Sequence, residues 1–475
     1  RDNEQTFRSQ VAHYATPVLH LCEHALREHD RPEFPGRDFL NRMHSDARRV
    51  QELLDHHGAQ HNELWFPFRE AIAAAKLFSD VAYAVRHIRG SLGLYELASV
   101  EANCREQTDA ALDLLRDALV TISRGVIDQA RRCGVEPDGR TAYVPRRDPD
   151  FQLNLPANRV GRHVEKVDEV VVHLATSFLN LWEDREVQEV LAEHECPRCA
   201  DLVPEPISEE SLRSVESMFH NLQSMYDTYI FETDVEQQNA DLGYMRGHIS
   251  IIFHLTEIAT NLVHYYVRHM SAFSRASGSD FTVPMGREEL LEFVFDYPIR
   301  FSRLYLESAV QLCQRMIRAY SVPASVEVPI PNYRGFHVRP STLVARIVSH
   351  YGSTVTMTLG GYEYDAGSSL DLFRANEEIN AAKRRLIGDI LGDQSNADDE
   401  VPTDPAERAR QVHLLVMRLV REGGLVIYDT DLSMEPIDEA QASTIGELAA
   451  GVIRHFISMG KMDVRSDIKI GRAHV

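Results

Sequence analysis

The chain has 475 residues, 44% hydrophobic and 26% charged, which is the composition of a folded globular protein and excludes dominant disorder. With 50 Lys+Arg against 72 Asp+Glu the formal net charge is -22, so broad binding to nucleic acid or to anionic membrane is excluded by long-range repulsion. No run approaches the roughly 18 apolar residues of a transmembrane helix, so no membrane insertion is expected.

The chain opens on Arg1 with no basic-then-apolar leader, so its natural start is expected to lie elsewhere. Apolar residues then recur at a 3.6-residue period over 7–30, 37–57, 61–91, 97–132, 163–193, 208–232, 241–272 and 286–320, which predicts a helical bundle region. Ile251, Leu255, Ile258 and Leu262 are one such stripe. The segment 134–160 holds Gly134, Pro137, Gly139, Pro145, Pro149 and Pro156, so it is expected to be irregular and to divide helical subdomains at 1–150 and 151–320. Arg146, Arg147, Arg159 and Arg162 make it a basic patch, read as solvated loop charge. Ser208 followed by Ser211 is not expected to be a capping box, and Glu209 and Glu210 favour a helix start there through the dipole.

Several metal-like patterns occur. His20, Glu23 and His24 fit an HxxEH spacing, in which residues four apart share a helix face; a zinc hydrolase on them is the third-ranked reading, behind coincidence in a chain with 22 histidines. His194, Cys196 and Cys199 offer three zinc ligands and need a distant fourth, such as Cys133 or another His. His248, His254, Glu257, His264 and His269 share a helix without converging on one face. The six cysteines are scattered, which fits a reducing, cytoplasmic setting.

Near Ser321 the pattern changes. Ser325–Ile330 and Ser353–Leu359 alternate as strands, Gly360-Gly361 predicts a hairpin turn into Tyr362–Ala366, and Leu425–Tyr428 is a further short strand. Pro340–His350 is amphipathic, two helix-like runs fill 374–391 and 405–421, and a last helix is expected over about 438–457. These elements predict an α+β unit, a four-stranded sheet covered on one side by helices.

The residues that carry chemistry are NYRGFHVRPS, 332–341, between a strand and a helix. A neutral imidazole at His337 can accept a phosphoryl group and return it. The first-turn N–H groups beyond it form an anion site, Arg339 adds a permanent fork of donors, Pro340 suits a first turn, and Gly335 lets the backbone bend.

This stretch resembles HPr, the histidine-containing phosphocarrier of the phosphoenolpyruvate-dependent phosphotransferase system, through Asn332, Gly335, Phe336, His337, Arg339, Pro340 and Ser341. The resemblance resumes over Gly424–Ile457. It implies an open-faced β-sandwich of four antiparallel strands with helices on one face, occupying 321–460 and interrupted by a helical insertion at about 370–423. It implies phosphorylation of His337, with Arg339 stabilising the phosphoryl group, an enzyme I-like donor and an acceptor protein of the same system. Ser368 falls where some members carry a regulatory serine, although the neighbouring Gly367 and Ser369-Leu370-Asp371 depart from the family pattern. Residues 461–475 are a tail, and IGRAHV at 470–475 reads as translated sequencing adapter.

The expected function is therefore a protein-to-protein phosphoryl relay without small-molecule turnover or cofactor. The helical region would dimerise, sense a signal or bind a regulatory target. The alternative is a non-phosphorylated docking or scaffold protein.

Overall fold

The structure, a computed structural model, describes residues 2–92, 101–137, 139, 142–146, 166–193, 199–270, 283–330, 335–394, 397–429, 442–465 and 469–474. The chain divides into two compact units, Arg1–Met316 and Ile317–Val475.

The first unit is built from helices, as the 3.6-residue periodicity predicts: α1 (Asp2–Glu28), α2 (Arg37–His56), α3 (Phe66–Ser91), α4 (Glu101–Arg132), α5 (Val167–Trp182), α6 (Arg185–Val190), α7 (Glu209–Tyr229), α8 (Asp234–Gln238), α9 (Ala240–His264), α10 (Arg287–Val294) and α11 (Arg300–Tyr320). The last of these crosses the boundary into the second unit. Helix α3 is central, packing against α2, α4 and α9, while α7 lies along α9. Its alanines 71, 73, 74 and 75 are all buried and bring neighbouring backbones close, while Phe68 and Phe78 fill the remaining space. The stripe Ile251, Leu255, Ile258 and Leu262 is buried as the spacing predicts. The expected helix over 163–193 is two helices, because Asp184 caps the second by accepting from Glu186 and Val187 N–H.

Ser208 and Ser211 do form a capping box, contrary to expectation: each hydroxyl accepts the other's backbone N–H at 2.9 Å. A serine at the third helical position does here what Glu or Gln does elsewhere, since its hydroxyl also accepts.

Helix α9 runs on into a π turn, Tyr265–Met270, and α10 into a π turn, Phe295–Ile299, where Pro298 has no N–H to place in the ladder. The first π turn carries His269, whose Nδ1 lies 2.8 Å from Glu70 Oε2 on α3. Glu70 is 1% exposed and also receives Arg69, which forks onto Asp55 at 2.7 and 3.1 Å. Burial alone would raise the Glu70 carboxyl, but His269 and Arg69 outweigh it and hold the group below the usual glutamate range.

The second unit holds α12 (Val338–Tyr351), α13 (Ser369–Gly392), α14 (Pro405–Arg421) and α15 (Ile445–Ser458) with β1 (Val328–Pro329), β2 (Thr356–Leu359), β3 (Tyr362–Asp365), β4 (Leu425–Ile427), β5 (Met462–Val464) and β6 (Lys469–His474). The hairpin turn stands as predicted, with Gly360 and Gly361 both at positive φ and Met357 and Leu359 facing inward. The expected start of the last helix near 438 lies outside the described residues.

The four-stranded open-faced sandwich is not what forms. Strand β4, expected to complete one sheet, pairs instead with β5 in a separate two-stranded ladder, Leu425 opposite Val464 and Ile427 opposite Met462. The other strands run in the order β1-β6-β2-β3, with β1 only two residues long and the β2–β6 register irregular. The segment set aside as adapter and tail thus supplies β6. The physical reason is α13, whose 24 residues outrun the first sheet. Its Leu372, Ala375 and Ile379 join Phe336, Met357 and Leu359 in one core, while Ile387 and Leu391 join Leu415, Leu425, Ile453 and Val464 in another. Leu425 of β4 is buried in the second core, so the strand is not available to the first.

Glu70→Gln is expected to lower the unfolding free energy by about 3 kcal/mol at pH 7, since breaking one side of a buried pair leaves its partner uncompensated. Because the folded carboxyl is depressed, its contribution is present above the ordinary glutamate range and is lost as pH falls through the folded value. Denaturant titrations from pH 7 downward should therefore show the wild-type advantage shrinking in acid; an advantage constant with pH contradicts the assignment.

Candidate functional site

The loop before α12 is held by its neighbours on both sides of Phe336. Phe336 itself is buried in the first core. Its N–H donates to Asn376 Oδ1 at 2.8 Å, and its carbonyl accepts from the buried Ser341 hydroxyl at 2.9 Å. Gly335 sits at φ +58, and a Cβ there would lie 2.1 Å from Asn376 Oδ1. The glycine is needed twice, for its left-handed backbone and for the close approach of the clamping amide.

His337 follows as the N-cap of α12, half-buried, with extended backbone and no side-chain capping bond. Its N–H donates to Gly335 O at 3.0 Å, and its Nδ1 lies 3.3 Å from the same oxygen. A carbonyl only accepts, so this contact is a hydrogen bond in the tautomer that carries its proton on Nδ1. Ser341 N–H makes the first helical bond, to His337 O at 3.1 Å. Pro340 has no N–H, so the donors left without an intrahelical acceptor are those of Val338 and Arg339. The Arg339 side chain is exposed and has no partner among the described residues. Gly335, His337, Arg339 and Pro340 are thus brought together; Asn332 lies outside the described residues.

Val338, Leu343 and Ile347 on α12 and Leu370 on α13 are apolar and 69%, 58%, 49% and 59% exposed. Ser368 is the N-cap of α13, its hydroxyl accepting Asp371 N–H at 3.3 Å. Asp371 also accepts Asp365 N–H and pairs with Arg374, so the serine stands beside a committed carboxylate.

The metal-like patterns do not converge. Among the described residues no group of three His, Cys, Asp or Glu is arranged to hold a metal ion. His20 and His24 line different cavities, of about 390 and 640 Å³, that share Tyr143, Pro145 and Arg146. His24 packs against Phe34, Phe39 and Tyr143, and burial lowers its pKa. Cys22 is fully buried and its thiol is pushed up to about 12, chiefly by burial. His194 and Cys196, and the side chain of Cys199, lie outside the described residues, as do Arg147, Arg159 and Arg162. Cys133, the suggested fourth ligand, donates to Leu64 O at 3.3 Å.

The histidines of α9 and its π turn separate, each to its own partner. His248 reaches Tyr244 O and the Ser308 hydroxyl, His254 lies 3.2 Å from Glu257, His264 lies 3.0 Å from Glu209, and His269 pairs with Glu70. Sequence reasoning missed Asn376, whose one signal is a polar residue set beside the buried Ala375 and Ile379 of α13.

Comparison with protein-family models, with curated proteins and with solved structures found no match to this chain.

Asn376→Ala is expected to cost about 1–2 kcal/mol by leaving the Phe336 N–H unpaired, and Gly335→Ala to cost more through its left-handed φ and the clash. Since the clash is with the Asn376 amide, the double variant should be less destabilised than the sum of the two. Strict additivity in a denaturation cycle would contradict this packing.

Proposed function

We propose that this chain is a phosphocarrier of the kind its 332–341 motif resembles. His337 accepts a phosphoryl group from an enzyme I-like phosphohistidine and passes it to a partner protein. The lone-pair nitrogen of His337 attacks phosphorus, the donor's P–N bond breaks, and the donor imidazole recovers its lone pair. No oxidant or metal redox step is required. The observation that carries the reading is the uncapped start of α12: a half-buried imidazole beside two N–H groups and an exposed guanidinium without a partner among the described residues. A histidine kept merely as a helix cap would accept a first-turn N–H, and His337 makes no such bond.

A second reading, docking without phosphorylation, draws on the exposed apolar side chains Val338, Leu343, Ile347 and Leu370. Under either reading the helical unit Arg1–Met316 carries regulation, by dimerising, sensing a signal or binding a target. The acceptor is a protein, and the setting is reducing and cytoplasmic, in keeping with four buried free cysteines among the described residues. No helix among the described residues is long and apolar enough to cross a membrane.

Incubation of the full chain with phosphoenolpyruvate and a cognate enzyme I should add one acid-labile, base-stable phosphoryl group. His337→Ala should abolish it, and Arg339→Ala should slow transfer by about tenfold or more, the scale of one lost charge-assisted hydrogen bond. Absence of modification in the wild type would overturn the carrier reading and leave docking.

A further inference from the structure

The second unit contains a cavity of about 360 Å³ between α13 and α15. Its polar lining is Asn380, Lys383, Arg384, Arg454 and Ser458, and among the described residues no carboxylate lines it. In a chain of net charge -22, two exposed arginines and a lysine already paired with Asp463 share one small concavity. Their pairing is also incomplete. Lys383 is 4% exposed, and its Nζ donates to the equally buried Asp463 at 2.7 Å. An ammonium has three donors, and among the described residues that carboxylate is the one acceptor bonded to it. Asp463 is itself committed, since its other oxygen accepts the Val464 N–H at 2.8 Å. Arg384 has no partner among the described residues, and Arg454 donates from Nε to Ala450 O, with no carboxylate on its guanidinium.

We propose that this cavity binds a small multivalent oxyanion, a phosphate or carboxylate group on a metabolite. Two guanidinium groups supply forks matched to such oxygens, Asn380 and Ser458 supply neutral polar contacts, and Ile387 and Ile457 supply apolar wall for an organic body. The volume admits a small molecule, and the net charge of the chain disfavours a polyanion such as nucleic acid. Nothing in this assignment depends on the chemistry of His337.

The test is titration calorimetry of the full chain with pyrophosphate and, separately, citrate, each against sodium chloride of matched ionic strength. Saturable binding of one equivalent is expected, weakened at least about tenfold in Arg384→Ala and in Arg454→Ala. Arg385→Ala, which removes an exposed ion pair to Glu378 on the same helix, should leave it unchanged. Binding of pyrophosphate alone assigns the phosphate class and of citrate alone the carboxylate class. No saturable binding of either, or equal binding by all three variants, overturns the proposal.

Discussion

The second unit depends on a single stripe along α13. Leu372, Ala375 and Ile379 belong to one core, Ile387 and Leu391 to another, and Lys383 stands between them, paired with Asp463 on β5. A helix of that length cannot spend its apolar face on one small sheet, so it gathers a second set of elements, α14, α15 and the β4–β5 ladder. A buried ion pair is weak as a source of stability, because desolvation offsets much of the attraction. Its effect here is one of register: Lys383 and Asp463 have to meet, which fixes how β5 lies against α13.

The same helix sets the loop at His337. Asn376 projects from α13 to Phe336 N–H, and one turn further on Asn380 enters the cationic cavity. Phe336 is fixed by its ring, its N–H and its carbonyl, so the next residue is delivered at the start of α12 without any bond from its own side chain to the helix. The phosphoryl transfer proposed above would use that arrangement, a rigid backbone under a nucleophile beside first-turn donors without helical acceptors.

Much of this was legible in the sequence, and the rest was not for physical reasons. Long amphipathic helices announce themselves, and α2, α3, α4, α13 and α14 lie within a few residues of their expected spans because periodicity is local. The Gly360-Gly361 turn is local in the same way. Strand pairing is not: Leu425–Ile427 reads as a strand from its own residues, but whether it joins β2 or β5 depends on where α13 buries its far end. The resemblance resuming over Gly424–Ile457 suggested the wrong sheet for that strand. Asn376 and Ser341 clamp Phe336 from positions 40 and 5 residues away, and only the nearer falls within the motif. Likewise Glu70 and His269 are 199 positions apart, and His269 alone could be read only as one of several histidines on a long helix.

The central claim is that the start of α12 is an anion site built for a phosphoryl group on His337. The most direct measurement is a pair of amide nuclear magnetic resonance spectra of the full chain, before and after phosphoryl transfer, with the phosphorus spectrum recorded alongside. The account predicts a phosphohistidine signal together with displaced amide resonances of Val338 and Arg339, the two donors without helical acceptors. A phosphohistidine that forms while those two amides stay where they were, or no phosphohistidine at all, would contradict it.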